Sequence, residues 1–236
     1  MSSRTLETQQ SITPQLSWWN SAFIWLSWGL AAIASWAVGW MLGVPIAQSL
    51  QEAYVSPMPG AVAGMLAQNI GRAIFGALFG ALVGAAMGFA QWFVLRKFRL
   101  AKFWWGIATM IAMTIGMMLG WPLRWILMWT MYNAGGFFYD TIHGTFGMII
   151  GWSIAGAITG LVVGSVQWFL LRRRLRKAGW WIVASVVGMV VGQSVGWVIE
   201  REIIGDVGWA ISGAAGGVFY SALTGIALVM LWRTSR

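Results

Sequence analysis

The chain has 236 residues, of which 59% are hydrophobic, with 15 basic and 6 acidic side chains and a mean hydropathy of +0.73. Charged residues make up 9% of it, against about 25% in a soluble domain, which is too few to coat a water-soluble globule, so lipid is the expected solvent. The absence of cysteine excludes disulfides, thiolate metal sites and thiol nucleophiles.

Residues 1–17 are polar, with Arg4 as their one basic side chain, and read as a cytoplasmic tail rather than a cleaved signal; the apolar run that follows reads as a retained anchor. Six uncharged stretches come next: Thr8 to Gln51, Ala73 to Leu95, Phe103 to Leu123, Gly144 to Leu171, Ala178 to Ile199 and Val207 to Trp232. Each exceeds the ~20 residues that a spanning helix needs. The expected helices lie near 18–43, 70–96, 103–122, 144–172, 179–199 and 207–233. Val44 to Asn69 contains Pro45, Pro57 and Pro59 and reads as a loop with a short interfacial helix. Arg124 to Tyr139, rich in Trp and Met and closed by Asn133-Ala134-Gly135-Gly136, reads as an interfacial helix lying on the outer surface.

Charge placement predicts the orientation. Arg96, Lys97, Arg99 and Lys102 lie between spans 2 and 3, and Arg172, Arg173, Arg174, Arg176 and Lys177 between spans 4 and 5. Together with Arg4, Arg233 and Arg236 they put twelve of the fifteen basic residues on one side, which is expected to be cytoplasmic, with both termini inside. Five of the six acids fall on the other side: Glu52, Asp140, Glu200, Glu202 and Asp206. No basic face exists outside the two loops and the tails, so nucleic acid is not an expected partner; anionic lipid headgroups at the cytoplasmic side are.

The sequence repeats at a shift of 76. Gly80, Gly84, Gly88 and Gln91-Trp92-Phe93 fall on Gly156, Gly160, Gly164 and Gln167-Trp168-Phe169, and the register continues through Trp104-Trp105 onto Trp180-Trp181 and Gly120-Trp121 onto Gly196-Trp197. A fainter copy at a shift of 61 places Gly208, Gly217, Gly225 and Arg233 on Gly147, Gly156, Gly164 and Arg172, with Leu228-Val229 in place of Gln-Trp. Span 1 ends in Gly39-Trp40, matching Gly120-Trp121. The expected fold is thus an all-α integral membrane protein, a single transmembrane domain over 18–236. Its six helices form three tandem, like-oriented hairpin repeats, 18–99, 100–176 and 177–236, about a pseudo-threefold axis along the membrane normal. The segments Gly88 to Arg96 and Gly164 to Arg172, with the Trp-Trp pairs after them, resemble a group of uncharacterised bacterial six-span membrane proteins with repeated G-x-x-Q-W-x-x-L-R helical hairpins. The resemblance implies a six-span fold in a bacterial inner membrane and nothing about chemistry.

Five residue classes stand out. Gly76, Gly80, Gly84 and Gly88, with Gly156, Gly160 and Gly164 and with Gly188, Gly192 and Gly196, form glycine-zipper faces for close helix packing. Trp92, Trp104, Trp105, Trp121, Trp168, Trp180, Trp181 and Trp197 are expected to form interfacial aromatic belts, whereas Trp25, Trp28 and Trp36 sit deeper in span 1. Gln91 and Gln167 are expected as interior polar residues that hydrogen-bond across helices. Arg72, Arg124 and Glu200 are expected to tie helices together in an exposed setting on the outer side. His143, the single histidine, follows Asp140 by three residues without a third ligand nearby, so no metal is expected.

No thiol, no serine or threonine with an adjacent base, no paired buried carboxylates and no phosphate-cradling loop are evident, so the chain is not expected to be an enzyme. The leading expectation is a structural or accessory subunit that docks other membrane protein subunits through its Gly- and Trp-rich helices. A small channel or carrier for an apolar or small solute is the alternative. No cofactor is expected, although the tryptophan excess would also suit a bound lipid or hydrophobic pigment.

Overall fold

The computed structural model describes residues 18–54, 61–97, 101–135, 142–175, 177–203 and 206–234. They form six helices: α1 (Trp18–Tyr54), α2 (Ala61–Lys97), α3 (Trp104–Gly135), α4 (Ile142–Leu171), α5 (Trp180–Glu202) and α6 (Asp206–Thr234). Each contains a stretch long and apolar enough to cross a membrane, which makes the chain a candidate multi-pass membrane protein.

The partition of side chains follows from lipid as solvent. On α2, Ile70, Ile74, Leu78 and Leu82 recur every four residues on the exposed side, while Phe75, Phe79, Val83, Met87, Gln91 and Leu95 recur every four on the buried side. The interior also holds Gln167, Gln193, Thr109, Thr159, Ser185 and Thr224, so polar side chains share the inside with apolar ones, while the outside is largely aliphatic and aromatic. In hydrocarbon, polar groups must find partners within the protein, and the outer wall has no reason to be polar.

Every helix packs against its neighbours in sequence, and α1 also packs against α6, closing a ring of six. All six helices send side chains into that ring. Trp36, Phe79, Met113, Trp152, Met189 and Tyr220 meet in one cluster; Trp28, Leu95, Trp105, Leu171, Trp181 and Leu228 meet in a second, nearer the α2–α3 and α4–α5 turns.

Glycine sets how closely the helices approach. A Cβ on Gly88 would lie 2.7 Å from the Gly106 carbonyl oxygen, on Gly156 2.6 Å from that of Met189, and on Gly192 2.7 Å from that of Gly216. Gly76, Gly80 and Gly84 face α3 in the same way, Gly160 and Gly164 face α5, and Gly188 and Gly196 face α6. With no hydrophobic drive between helices in lipid, backbone contact of this kind supplies much of the attraction. Between α1 and α2, by contrast, Gly39 and Gly43 meet first the side chains of Val83 and Phe79.

Three expectations are corrected. The helix of span 1 does not end near 43, although its apolar stretch ends at Ile46, and Arg124 to Gly135 does not form a separate surface helix: α1 runs through Pro45 to Tyr54, and α3 runs through Pro122 to Gly135. A proline removes one backbone bond, a strong stop in water, but in a membrane bundle neighbouring helices hold the segment in line. Beyond Pro122 the helix is seated on α4, where Gly151 leaves room for the Arg124 and Met128 side chains. Likewise α2 begins at Ala61 rather than near 70. The tail 1–17 and Asp140 lie outside the described residues, as do the side chains of Glu52 and His143.

Candidate functional site

The end of the ring beside the Arg96–Lys102 and Arg172–Lys177 turns, here the proximal end, is filled by tryptophan. Trp28 of α1, Trp105 of α3 and Trp181 of α5 form a triangle of edge-on rings with centroid separations of 6.5, 5.7 and 6.3 Å. All three are buried, and each indole N–H is used. Trp105 donates to Gln91 Oε1 (3.3 Å), Trp181 to Gln167 Oε1 (2.9 Å) and Trp28 to Thr224 Oγ1 (3.0 Å). Gln167 then donates through Nε2 to Thr109 Oγ1 (3.0 Å) and to Gln91 Oε1 (3.3 Å), which joins α2, α3, α4 and α5 in one polar layer. Where the third copy carries Leu228, that leucine is buried in the adjoining apolar cluster. Tyr220 of α6 brings its hydroxyl beside Gln91 and Ser185, but it, Gln91 Nε2 and Ser185 Oγ lack partners of hydrogen-bonding geometry.

The tryptophans expected as interfacial belts occupy two environments. Trp104 and Trp180 are 66% and 65% exposed, whereas their immediate neighbours Trp105 and Trp181 point into the ring. Trp92 and Trp168 are half-buried and carry Arg96 and Arg172 over their rings at 5.1 and 5.4 Å. Trp121 is buried, and Trp197 packs half-buried against the main cluster. The deeper Trp28 and Trp36 of span 1 are interior residues, while Trp25 is partly exposed.

At the other, distal end the ring opens into a cavity of about 330 Å³ whose walls include Arg72, Arg124, Glu200, Trp40, Trp121 and Trp152. The sequence-predicted trio of charges therefore converges on one place. The setting differs from the expectation for Arg124, which is only 5% exposed because α3 continues past Pro122 and holds it against α4. Its guanidinium lies 3.8 Å from the Trp152 ring centroid and 4.9 Å from that of Trp125. Arg72 is half-buried, approaches the same Trp125 ring at 4.6 Å and donates to Asn69 Oδ1 and Gln68 Oε1. Arg124 Nε and Glu200 Oε2 are buried without a hydrogen-bond partner.

Several interior polar residues escaped the sequence reading. Thr109 and Ser185 are equivalent at the shift of 76, and Tyr220 falls on Thr159 at the shift of 61, so a hydroxyl held at matching positions was the available signal. Gln193 had no such signal, because its counterpart is Met117; it is buried and donates to the Met117 sulfur at 3.8 Å. No family model, curated protein or solved structure matches this chain.

Proposed function

We propose that the protein is a non-conducting, non-enzymatic multi-pass accessory subunit of the bacterial inner membrane, built from three like-oriented hairpin repeats with both termini cytoplasmic. The observation that carries this reading is the Trp28–Trp105–Trp181 triangle, which fills the middle of the ring at its proximal end. A path for ions or polar solutes would need water or ionisable partners through that layer, whereas its contents are three indoles and the amides and hydroxyls bonded to them. The glycine faces are used within the ring, so docking falls to the outer wall of Ile, Leu, Val and Phe, together with the exposed Trp104 and Trp180. Lipids with anionic headgroups at the basic turns and other membrane subunits at the apolar wall are the partners this surface suits.

A carrier is the second reading. What favours it is the cavity at one end of the ring and the polar layer beneath it, an arrangement in which the tryptophan triangle would serve as a closed gate. Proteoliposomes separate the two. Accessory subunits should leave vesicles tight to small neutral and ionic solutes, both as wild type and across a solute gradient. Saturable flux by the lone purified protein, altered by Trp105→Ala, would replace the accessory reading with the carrier.

A further inference from the structure

The distal cavity gathers an unusual set of donors. Arg124 Nε and the Nε1 atoms of Trp40, Trp121 and Trp152 are all buried and all lack an acceptor, and all four residues line that one cavity. A buried N–H left unpaired is costly, and four such donors stand in this wall against one unpaired protein acceptor, Glu200 Oε2, so an added acceptor is favoured here. The charges point the same way. Two guanidiniums, Arg72 and Arg124, face one carboxylate, Glu200, and these are the ionisable groups in the wall among the described residues. A single negative charge would balance them, and burying an unbalanced cation at the end of a membrane bundle is unfavourable. Water satisfies N–H groups but supplies no charge.

We propose that this cavity binds a monoanionic oxyanion, with its charge on the Arg124 and Arg72 guanidiniums and its apolar body against the tryptophan walls. A guanidinium fork suits a two-oxygen acceptor. Arg72, Trp125, Trp197 and Glu200 are only partly buried, so the cavity opens past them toward the distal surface. Arg124 stands twenty residues after the first residue of α3, about 30 Å of helix from the basic turns. The oxyanion thus comes from the distal leaflet or the aqueous phase beside it. A phosphodiester headgroup of a singly charged lipid and a small free carboxylate share the required chemistry.

Binding at this site needs no docked partner, so it is measurable on the purified full chain in phosphatidylcholine nanodiscs. One arm titrates benzoate against benzyl alcohol as the neutral counterpart. The other compares nanodiscs with and without phosphatidylglycerol. Melting temperature and tryptophan emission are read in both. Benzoate alone raising the melting temperature assigns a free carboxylate; phosphatidylglycerol alone assigns a lipid headgroup; both doing so in competition assigns the shared oxyanion chemistry. Arg124→Gln should weaken binding by about tenfold or more, as expected for a lost charge-assisted contact. Should that variant fail to fold, the half-buried Arg72→Gln should weaken it in the same direction. Glu200→Gln should tighten it by about threefold or more, since it removes the competing negative charge. A merely structural role for Glu200 would not tighten binding. No response to either anion, an equal response to benzyl alcohol, or weaker binding in Glu200→Gln overturns the proposal.

Discussion

Gln167 donates to Gln91 Oε1 across 3.3 Å, and each glutamine accepts from the tryptophan fourteen residues after it, Trp181 and Trp105. The two Trp-to-Gln bonds involve residues 76 positions apart in the sequence. Removing one partner leaves a buried donor, whereas removing both leaves a hydrocarbon contact. Gln167→Leu is therefore expected to destabilise the protein by about 1–3 kcal/mol, while Gln167→Leu with Trp181→Phe costs less than the two single changes added together. Reversible unfolding in mixed micelles measures the cycle, and strict additivity would show that the bond contributes nothing.

The same pair of helices supplies a packing test. A methyl on Gly156 would sit 2.6 Å from the Met189 carbonyl oxygen and 2.9 Å from its carbon, both backbone atoms that cannot rotate away. Gly156→Ala should cost about 1–3 kcal/mol through overpacking, although alanine is the better helix former. Gly64 has nothing within 4 Å of the added atom, so Gly64→Ala should leave stability unchanged or raise it by up to about 1 kcal/mol. Equal effects at the two sites would mean that the close approach of α4 and α5 carries no energetic weight.

Adjacent tryptophans give a sharper contrast. Trp181 is fully buried in the proximal triangle and Trp180, one residue earlier, is 65% exposed. Trp181→Ala should lose about 3–5 kcal/mol, the range for deleting a large core aromatic. Trp180→Ala should stay within about 0.5 kcal/mol, as surface substitutions do. Thermal unfolding of both variants in the same detergent decides whether the triangle is a packed element or an incidental contact.

These contrasts mark where the sequence was readable. Six apolar helices followed from charge-free runs, because a membrane span is a matter of length and the absence of charge. Glycines at four-residue spacing identified the contact faces, since little else explains Gly76, Gly80, Gly84 and Gly88 on one helix. Inside and outside were harder. In a span that is apolar all round, Trp104 and Trp105 look alike, and only the ring geometry turns one outward and the other inward. Pro45 misled for a related reason: proline stops a helix when water is the alternative partner, and this one sits where neighbouring helices hold the chain, as Pro122 does in α3. The convergence of Arg124 with Trp40, Trp121 and Trp152 was invisible because it depends on that continuation of α3.

Orientation is open to a direct chemical test because the protein has no cysteine to remove. Arg173, in the α4–α5 turn, and Glu202, at the last residue of α5, are both exposed and lie at opposite ends of the ring. Positive charge beside short turns resists translocation, so Arg173 is expected on the cytoplasmic side and Glu202 across the membrane. In spheroplasts a membrane-impermeant maleimide should label Glu202→Cys at once and Arg173→Cys only after the membrane is permeabilised. The reverse pattern would invert the topology and move the distal cavity to the cytoplasmic face. Labelling of both in intact spheroplasts would mean that the chain inserts in two orientations, in which case the twelve clustered basic residues do not control its topology.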